Sequence, residues 1–314
     1  MHPVKKISIL LLGIVLCLSA CSGRKGTERS VSFFAMDTYM TLRAYGCEQQ
    51  LLEDLKAETE RLEGLFSVTR PDSEIARLNA EGSIVPSADV RDAVGKALDI
   101  ARETGGALDI ALYPLLTEWG FTTGQYQVPA AERIRELLPV TDWNRIGLSE
   151  TELRIGAGMA LDLGSLAKGY TADALTARLK AAGVTSALLD LGGNIQAVGT
   201  KPDGSSWQIG IRDPQGEGHL GVVSAADMAV VTSGGYERYF TGADGQIYWH
   251  ILDPATGQPA RSGLVSVTVI GRAGWRCDGL STALFVMGPE KARDTGGRPA
   301  IMNWCWSRKT EKSS

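Results

Sequence analysis

The sequence predicts an α+β fold with α/β character, because helical and strand patterns are interspersed along one chain. Leucines recur at near-helical spacing between residues 51 and 66, and apolar residues alternate with others from Trp207 to Ile211. The 314 residues are 44% hydrophobic and 22% charged, which is enough to bury a sizeable core and excludes a disordered chain.

Each predicted element rests on its apolar spacing and on the glycines that stop it. In chain order we predict a strand over 31–46, a helix over 51–66, a helix over Asp89–Thr104 stopped by Gly105-Gly106, connecting structure over 120–150 with a short helix near Ala131–Leu138, a helix from Leu166 to Gly183, strands over Ala187–Leu191, Trp207–Ile211 and Val265–Val269, and a helix from Cys277 through Phe285.

The amino terminus has the pattern of a bacterial lipoprotein signal. Lys5 and Lys6 precede the apolar run Ile7–Leu18, which is too short to span a bilayer comfortably. The run ends in Leu18-Ser19-Ala20-Cys21, a lipobox in which cleavage falls before Cys21 and the thiol carries the lipid. The alternative is a plain cleaved signal with an incidental cysteine.

This pattern divides the chain into a lipoprotein signal peptide over 1–20, a tether over 21–30 and one domain over 31–314. It predicts an extracytoplasmic lipoprotein anchored to a membrane through Cys21. A net charge of −4 with no long run of Lys or Arg gives no support to a nucleic-acid partner. Cys47, Cys277 and Cys305 lack metal-site spacing, so we expect buried thiols and leave a disulfide open.

The segment Leu161–Tyr170 places a glycine turn before a helix start, where backbone N–H groups can face an anion. Lys168 falls in the first helical turn, an unfavourable position for a cation on dipole grounds alone. An anionic ligand such as a pyrophosphate would explain it. A solvated surface lysine is an equal alternative.

Two further segments carry glycines. Gly192 and Gly193 follow a buried-looking strand and permit close approach of a ligand, although such a pair is more often only a hairpin turn. Hydroxyls, glycines and an arginine between Val231 and Tyr239 could wrap phosphates, with Tyr236 stacking on a ring. The alternative for this segment is an ordinary turn into an edge strand.

His250 and the pair Asp278 and Thr282 are candidates for proton transfer and metal binding. An imidazole suits proton transfer near neutral pH, but an isolated histidine is more often structural. Asp278 and Thr282 would share a helix face and could supply oxygen ligands to Mg²⁺. An N-capped helix is the simpler explanation for the pair alone. P-loop, Gly-x-Ser-x-Gly and His-Glu-x-x-His motifs are absent from the sequence.

Taken together and in this order, these segments resemble the ApbE family of FAD:protein FMN transferases, whose older label is thiamine biosynthesis lipoprotein. The resemblance spans roughly residues 33–290. It includes Ala35–Met40, Ser67–Asn79 and the segment Gly105–Asp109. It implies an ApbE-type fold with mixed sheets and flanking helices.

The resemblance also implies roles. The positions matched to FAD contacts are Met36, Ala107, Leu108, Asp109, Asp162, Lys168, Gly192, Gly193, Asn194, Ser233, Gly234, Tyr236 and Leu252. The matched Mg²⁺ ligands are Asp278, Thr282 and the carbonyl of Ala167, and the matched catalytic positions are Lys168, His250 and, as an alternative proton acceptor, Asp253.

The implied reaction is Mg²⁺-dependent transfer of FMN from FAD to a serine or threonine hydroxyl of an acceptor protein, with release of AMP. An FAD pyrophosphatase and a non-catalytic flavin-binding lipoprotein are the alternatives. Two departures from the family pattern stand out. Thr69 replaces an aromatic residue, and the tail past Glu290 lacks the expected helix and closing strand.

Overall fold

A computed structural model describes residues 26–214, 216–296 and 303–308. The predicted signal peptide, the lipidation site Cys21 and the first part of the tether lie outside the described residues. The first strand begins at Glu28, so residues 28–30 of the predicted tether belong to the fold. No helix in these ranges combines the length and apolar character needed to cross a membrane.

The described part interleaves helices and short strands, as the sequence predicts. The helices are α1 (Gln49–Phe66), α2 (Glu74–Glu81), α3 (Ala88–Glu103), α4 (Tyr113–Glu118), α5 (Ala131–Leu137), α6 (Ala167–Ala181) and α7 (Gly274–Gly296), with 3₁₀ turns at Leu138–Val140 and Trp143–Arg145. The strands are β1 (Glu28–Ala35), β2 (Thr38–Tyr45), β3 (Ser83–Ile84), β4 (Gly147–Leu148), β5 (Leu153–Arg154), β6 (Ser186–Leu191), β7 (Ile195–Gly199), β8 (Trp207–Arg212), β9 (His219–Ala225), β10 (Met228–Gly234), β11 (Tyr239–Thr241), β12 (Ile247–Trp249), β13 (Leu252–Asp253), β14 (Gln258–Pro259), β15 (Leu264–Gly271) and β16 (Asn303–Arg308).

A seven-stranded antiparallel sheet organises the fold, in the order β1-β2-β6-β7-β10-β15-β16. Helices α1, α6 and α7 cover one face, where α7 packs on β10 and β15 and α6 packs on α7. The hairpin β8–β9 lies outside this sheet, and its Trp207 and Ile209 pack with residues of β7 and β10. Every second residue of β8 is buried, which confirms the predicted alternation.

The region over 31–46 is a hairpin of two strands where one strand was predicted. Strands β1 and β2 pair from Ala35 and Thr38 outward, and only Met36 and Asp37 connect them. A two-residue turn leaves no gap in the apolar pattern, which explains why the sequence resembles one long strand.

The carboxyl end has the helix and closing strand that the sequence analysis expects to be missing, so that expectation is wrong. Helix α7 continues to Gly296, with a break in its geometry at Gly288 just before Pro289. Strand β16 then pairs antiparallel with β15 and completes the sheet. Gly288 and Pro289 interrupt the helical pattern in the sequence, although the helix continues beyond them and β16 still pairs with the sheet.

Two of the cysteines are described in full. Cys277 is a buried free thiol, as predicted, and Cys47 is a half-buried free thiol. The side chain of Cys305 lies outside the described part of the chain.

Candidate active site

A cavity of about 880 Å³ lies where the β1–β2 turn, the β6–β7 turn, the start of α6 and the end of β10 meet. Nearly all of the predicted site residues line it. These are Met36, Ala107, Leu108, Asp109, Asp162, Ala167, Lys168, Gly192, Gly193, Asn194, Ser233, Gly234, Tyr236, His250, Leu252, Asp278 and Thr282. The exception is Asp253, which does not line the cavity.

Helices α6 and α7 touch at the base of the cavity because Gly169 has no side chain. A Cβ on Gly169 would lie 2.3 Å from the carbonyl oxygen of Gly274 and 2.7 Å from Cβ of Asp278. This closeness lets the amide of Gly169 donate a hydrogen bond to Oδ2 of Asp278, at 2.8 Å. The first turn of α6, which no side chain caps, is therefore tied to a carboxylate on α7.

Asp278 lies inside α7 and does not cap it, which removes the N-cap alternative. The cap is Asp173 of α6, whose carboxylate accepts from the amides of Gly274 at 2.8 Å and Trp275 at 3.0 Å. Asp278 is then free to face the cavity four residues before Thr282.

The carboxyl group of Asp278 is buried, and burial raises its pKa, while Lys168 and the amide of Gly169 oppose that rise. Hydroxyl groups lie beside it. Ser233 Oγ is 3.1 Å from Thr282 Oγ1 and 2.7 Å from Ser281 Oγ. Ser233, Asp278 and Thr282 all line the cavity, so this part of its wall presents several side-chain oxygen atoms.

Asn194 adds a buried amide to this group. Both polar atoms of its side chain are buried without a hydrogen bond of ordinary geometry among the described residues, yet the amide N–H side interacts with Asp278 and lowers the pKa of that carboxyl group. Buried polar atoms without partners are costly in a folded protein. The N–H side of the Asn194 amide therefore faces Asp278, and its carbonyl oxygen remains available for a ligand.

Gly192 and Gly193, which precede Asn194, form a hairpin turn that also lines the cavity. Gly192 and Gly193 have φ of 67° and 85°, the left-handed region that glycine adopts without strain. A Cβ on Gly192 would lie 2.1 Å from Oγ1 of Thr38. The turn thus brings the β6–β7 backbone against the β1–β2 turn.

Lys168 is half-buried and forms no ion pair with the described residues. It lies near Asp162, His250 and Asp278, and its charge lowers the pKa of each. Asp162 accepts from the amide of Gly164 at 2.5 Å, and burial raises its pKa. An unpaired cation on the cavity wall favours the anionic-ligand interpretation over a solvated surface lysine.

His250 is held as a neutral imidazole. Its Nδ1 lies 3.1 Å from the carbonyl oxygen of Arg238. Because a carbonyl only accepts, Nδ1 carries the proton and Nε2 keeps its lone pair. Burial lowers the pKa of His250 to about 4, and the charges of Arg238 and Lys168 act in the same direction.

The segment that carries Tyr236 leads from an internal strand into β11, which lies in a two-stranded sheet with β12, so it is a turn into an edge strand that also lines the cavity. Strand β10 lies between β7 and β15. The Tyr236 ring lies over Gly234, where an added Cβ would come within 2.5 Å of ring carbon atoms. The Arg212 guanidinium stands 5.9 Å from the centre of that ring.

Asp109 lines the cavity, but both of its carboxyl oxygens are engaged. Oδ1 accepts from the amide of Ala111 at 2.7 Å and Oδ2 from the amide of Trp143 at 3.1 Å. Burial raises the pKa of Asp109 to about 6, although the two hydrogen bonds oppose that rise. Its carboxyl group therefore fixes the loop that carries Ala107 and Leu108.

Asp253 is a turn residue. Its Oδ1 accepts from the amide of Ala255 at 2.9 Å, and its carbonyl oxygen accepts from the amide of Gly257 at 2.8 Å. The structure therefore does not bring Asp253 to the cavity as a proton acceptor. An Asp before proline and glycine favours such a turn on local grounds alone.

The structure adds cavity residues that the sequence did not single out. These are Asp37, Glu63 and Arg212 on the cavity wall. Arg238, the arginine that the sequence analysis noted between Val231 and Tyr239, lines the wall as well. Glu63 carries no sequence signal because it sits in an ordinary amphipathic helix. Among the described residues there is no cluster of three or more His, Cys, Asp or Glu side chains that could hold a metal ion.

Comparison with known proteins agrees with the geometry. The sequence model of the ApbE family matches residues 36–300. The chain belongs to the ApbE family. An FAD:protein FMN transferase of Treponema pallidum is 35% identical, over 90% of this chain and 86% of its own length. The protein of that name from Escherichia coli K12 is 30% identical, over 80% and 75%.

Solved ApbE structures have the same fold. The apo form of the Pseudomonas stutzeri flavinyl transferase ApbE superposes with a TM-score of 0.81 at 33% identity, over 91% of this chain and 92% of that one. The ApbE protein of Thermotoga maritima gives 0.80 at 31% identity, over 86% and 90%. The predicted ApbE-type α+β fold is confirmed.

Proposed function

We propose that this chain is an FAD:protein FMN transferase that moves FMN from FAD to a serine or threonine hydroxyl of an acceptor protein and releases AMP. The observation that carries the proposal is the cavity itself. Residues from distant segments, from Met36 to Thr282, line one space that holds an unpaired lysine and a neutral histidine. The names of the relatives support the same reaction.

The oxygen-rich base of the cavity fits Mg²⁺. Asp278, Thr282 and the carbonyl of Ala167 would hold the ion, which prefers oxygen ligands and keeps several waters. The fit rests on Asp278, a buried carboxyl group with no cationic side chain in direct contact among the described residues, and on the nearby buried side-chain oxygen of Asn194, which has no hydrogen-bond partner there. When bound, the ion would neutralise charge on the phosphate oxygens of FAD.

Lys168 would supply a second positive charge to the pyrophosphate. Its side chain would do this itself, because the amides of Ala167 and Gly169 on either side already donate to the carbonyl oxygen of Leu163 and to Asp278. Charge that develops on the leaving AMP phosphate is stabilised most by cations fixed in advance. Lys168 would therefore stabilise the negative charge that forms as the bridging P–O bond breaks.

His250 would take the proton of the attacking hydroxyl. The hydroxyl oxygen forms a bond to the FMN phosphorus while the bridging P–O bond breaks and AMP leaves. Nε2 of the neutral imidazole accepts the hydroxyl proton, and the Nδ1 bond to Arg238 holds the ring in place. With water in place of the hydroxyl, the same residues would release FMN and AMP.

The test uses the soluble domain with FAD, Mg²⁺ and a candidate acceptor that carries an exposed serine or threonine. A fluorescent acceptor band on a denaturing gel, with an equal amount of AMP, is the expected result. Free FMN and AMP without a band would identify a pyrophosphatase. FAD that stays bound with no AMP released would identify a flavin-binding protein and refute the transferase.

We also propose that the protein is an extracytoplasmic lipoprotein held to a membrane through Cys21. The support is the lipobox and the apolar run before it. The full-length chain should fractionate with membranes, and Cys21→Ala should not carry lipid by mass spectrometry. An unlipidated Cys21 in the mature chain would refute the anchor.

A further inference from the structure

The β1–β2 turn is strained at its two connecting residues. Met36 and Asp37 have φ of 50° and 57°, the left-handed region that residues with a side chain seldom adopt. Hairpin turns of this length normally place Asn and Gly at these positions. A strained turn at the wall of a cavity persists only where its surroundings enforce it.

Glu63 enforces this turn. Its Oε1 accepts a hydrogen bond from the amide of Met36 at 2.6 Å, across 27 residues of sequence. The Met36 side chain packs against the two largest apolar clusters, and its sulfur lies 3.8 Å from Oγ1 of Thr171. The backbone of Met36 is therefore held by α1, and its side chain is held by the apolar clusters and contacts α6.

The surroundings of Glu63 point to a role in the cavity. Glu63 lines the cavity and forms no ion pair with the described residues. A carboxylate on the wall of a site for an anionic dinucleotide would repel the ligand and weaken its binding. Its contact with Met36 accounts for its presence there.

We propose that Glu63 is a positioning residue, which holds Met36 in its left-handed conformation so that the Met36 side chain meets the flavin dinucleotide. The inference rests on the proposed function, because Met36 matters here only if FAD fills the cavity. Glu63 acts through the position of one backbone amide, so the length of its side chain matters more than its charge.

Two substitutions separate length from charge. Glu63→Gln keeps the length and an acceptor oxygen, whereas Glu63→Asp keeps the charge and loses the reach. We expect Glu63→Asp and Glu63→Ala, which lose the hydrogen bond to the Met36 amide, to weaken FAD binding about tenfold, and Glu63→Gln, which keeps an acceptor oxygen at the same reach, to stay within about threefold of wild type. Glu60→Ala, an exposed carboxylate on the same helix, is the matched control.

The decisive measurement is a double-mutant cycle on FAD affinity, read by quenching of flavin fluorescence without any acceptor. If Glu63 acts through Met36, Glu63→Ala costs little further affinity in a Met36→Ala background. Additive losses, or normal affinity in Glu63→Asp with lost affinity in Glu63→Gln, would overturn the positioning role. Circular dichroism confirms that each variant is folded. A wild-type protein that binds no FAD would refute the proposed function and this inference with it.

Discussion

The amide of Gly169 and the carboxylate of Asp278, 109 residues apart in sequence, form a hydrogen bond of 2.8 Å between two helices. The bond exists because the first turn of α6 contacts the first turn of α7 with no side chain between them. It joins the segment that carries Lys168 to the one that carries Thr282. Lys168 and the side-chain oxygen atoms of Asp278 and Thr282 are thus carried on two helices that are bonded to each other.

Gly169→Ala should destabilise the fold and disturb the site together. Its new Cβ would press on the backbone of Gly274, which cannot move aside as a flexible side chain could. We expect a loss of about 1–3 kcal/mol in the free energy of unfolding, the usual cost of overpacking. Urea denaturation checks this. Gly221→Ala is the control, because a Cβ there meets nothing within 4 Å; equal stability of the two variants would contradict the contact.

Mg²⁺ should stabilise the wild-type domain and have no such effect on Asp278→Asn. A ligand that binds only the folded state adds about 2.7 kcal/mol at a hundred times its dissociation constant. Asp278 is the carboxyl group at the proposed site, so its amide analogue should remove most of the metal affinity. Thermal unfolding with and without Mg²⁺ reports this without any turnover. An equal rise of the melting temperature in both proteins would place the ion elsewhere.

Local patterns were enough to predict many of the residues that line the cavity. The glycine turn and helix start around Lys168 identify a possible anion site from a few neighbouring residues. The spacing of Asp278 and Thr282 places both on one helix face. Such features depend only on short stretches of sequence, so the structure shows them as the sequence predicts.

Long-range contacts could not be predicted in this way. The pairing of Glu63 with Met36 depends on how α1 packs beside the hairpin, and no local spacing encodes it. Asp253 is close to His250 in sequence, but its carboxylate accepts a hydrogen bond from the amide of Ala255 in a local turn, and Asp253 does not line the cavity. The closing strand β16 was missed because the break at Gly288 conceals the helix that leads to it.

The pH dependence of turnover should reflect a histidine that stays neutral. Since burial lowers the pKa of His250 to about 4, loss of activity through its protonation is expected near pH 4 and not near the ordinary value of 6.5. Steady-state rates of AMP release between pH 4 and 8 test this. An acid limb centred near 6.5 would show that the ring is solvated and would remove this argument for its role.

The same histidine should link stability to pH. Its pKa in the folded state is below that of the unfolded chain, so the unfolded chain binds the proton first as the pH falls. The free energy of unfolding should therefore decrease between pH 6.5 and about 4, and less so in His250→Gln. His219→Gln, at the other histidine in the described residues, is the control because that side chain is exposed. A pH profile unchanged by His250→Gln would contradict the prediction.

Lys168→Met should lower turnover and shift its pH dependence at once. Loss of a cation fixed at the reacting phosphates is expected to reduce kcat by about 10²–10³. Lys168 also lowers the pKa of His250, so its removal should raise that pKa and move the acid limb to higher pH. Lys180→Met, which removes a cation paired with Asp227 at the far end of α6, should change neither. A Lys168→Met enzyme with reduced kcat but an unmoved acid limb would mean that the lysine and the histidine act too far apart to sense one another.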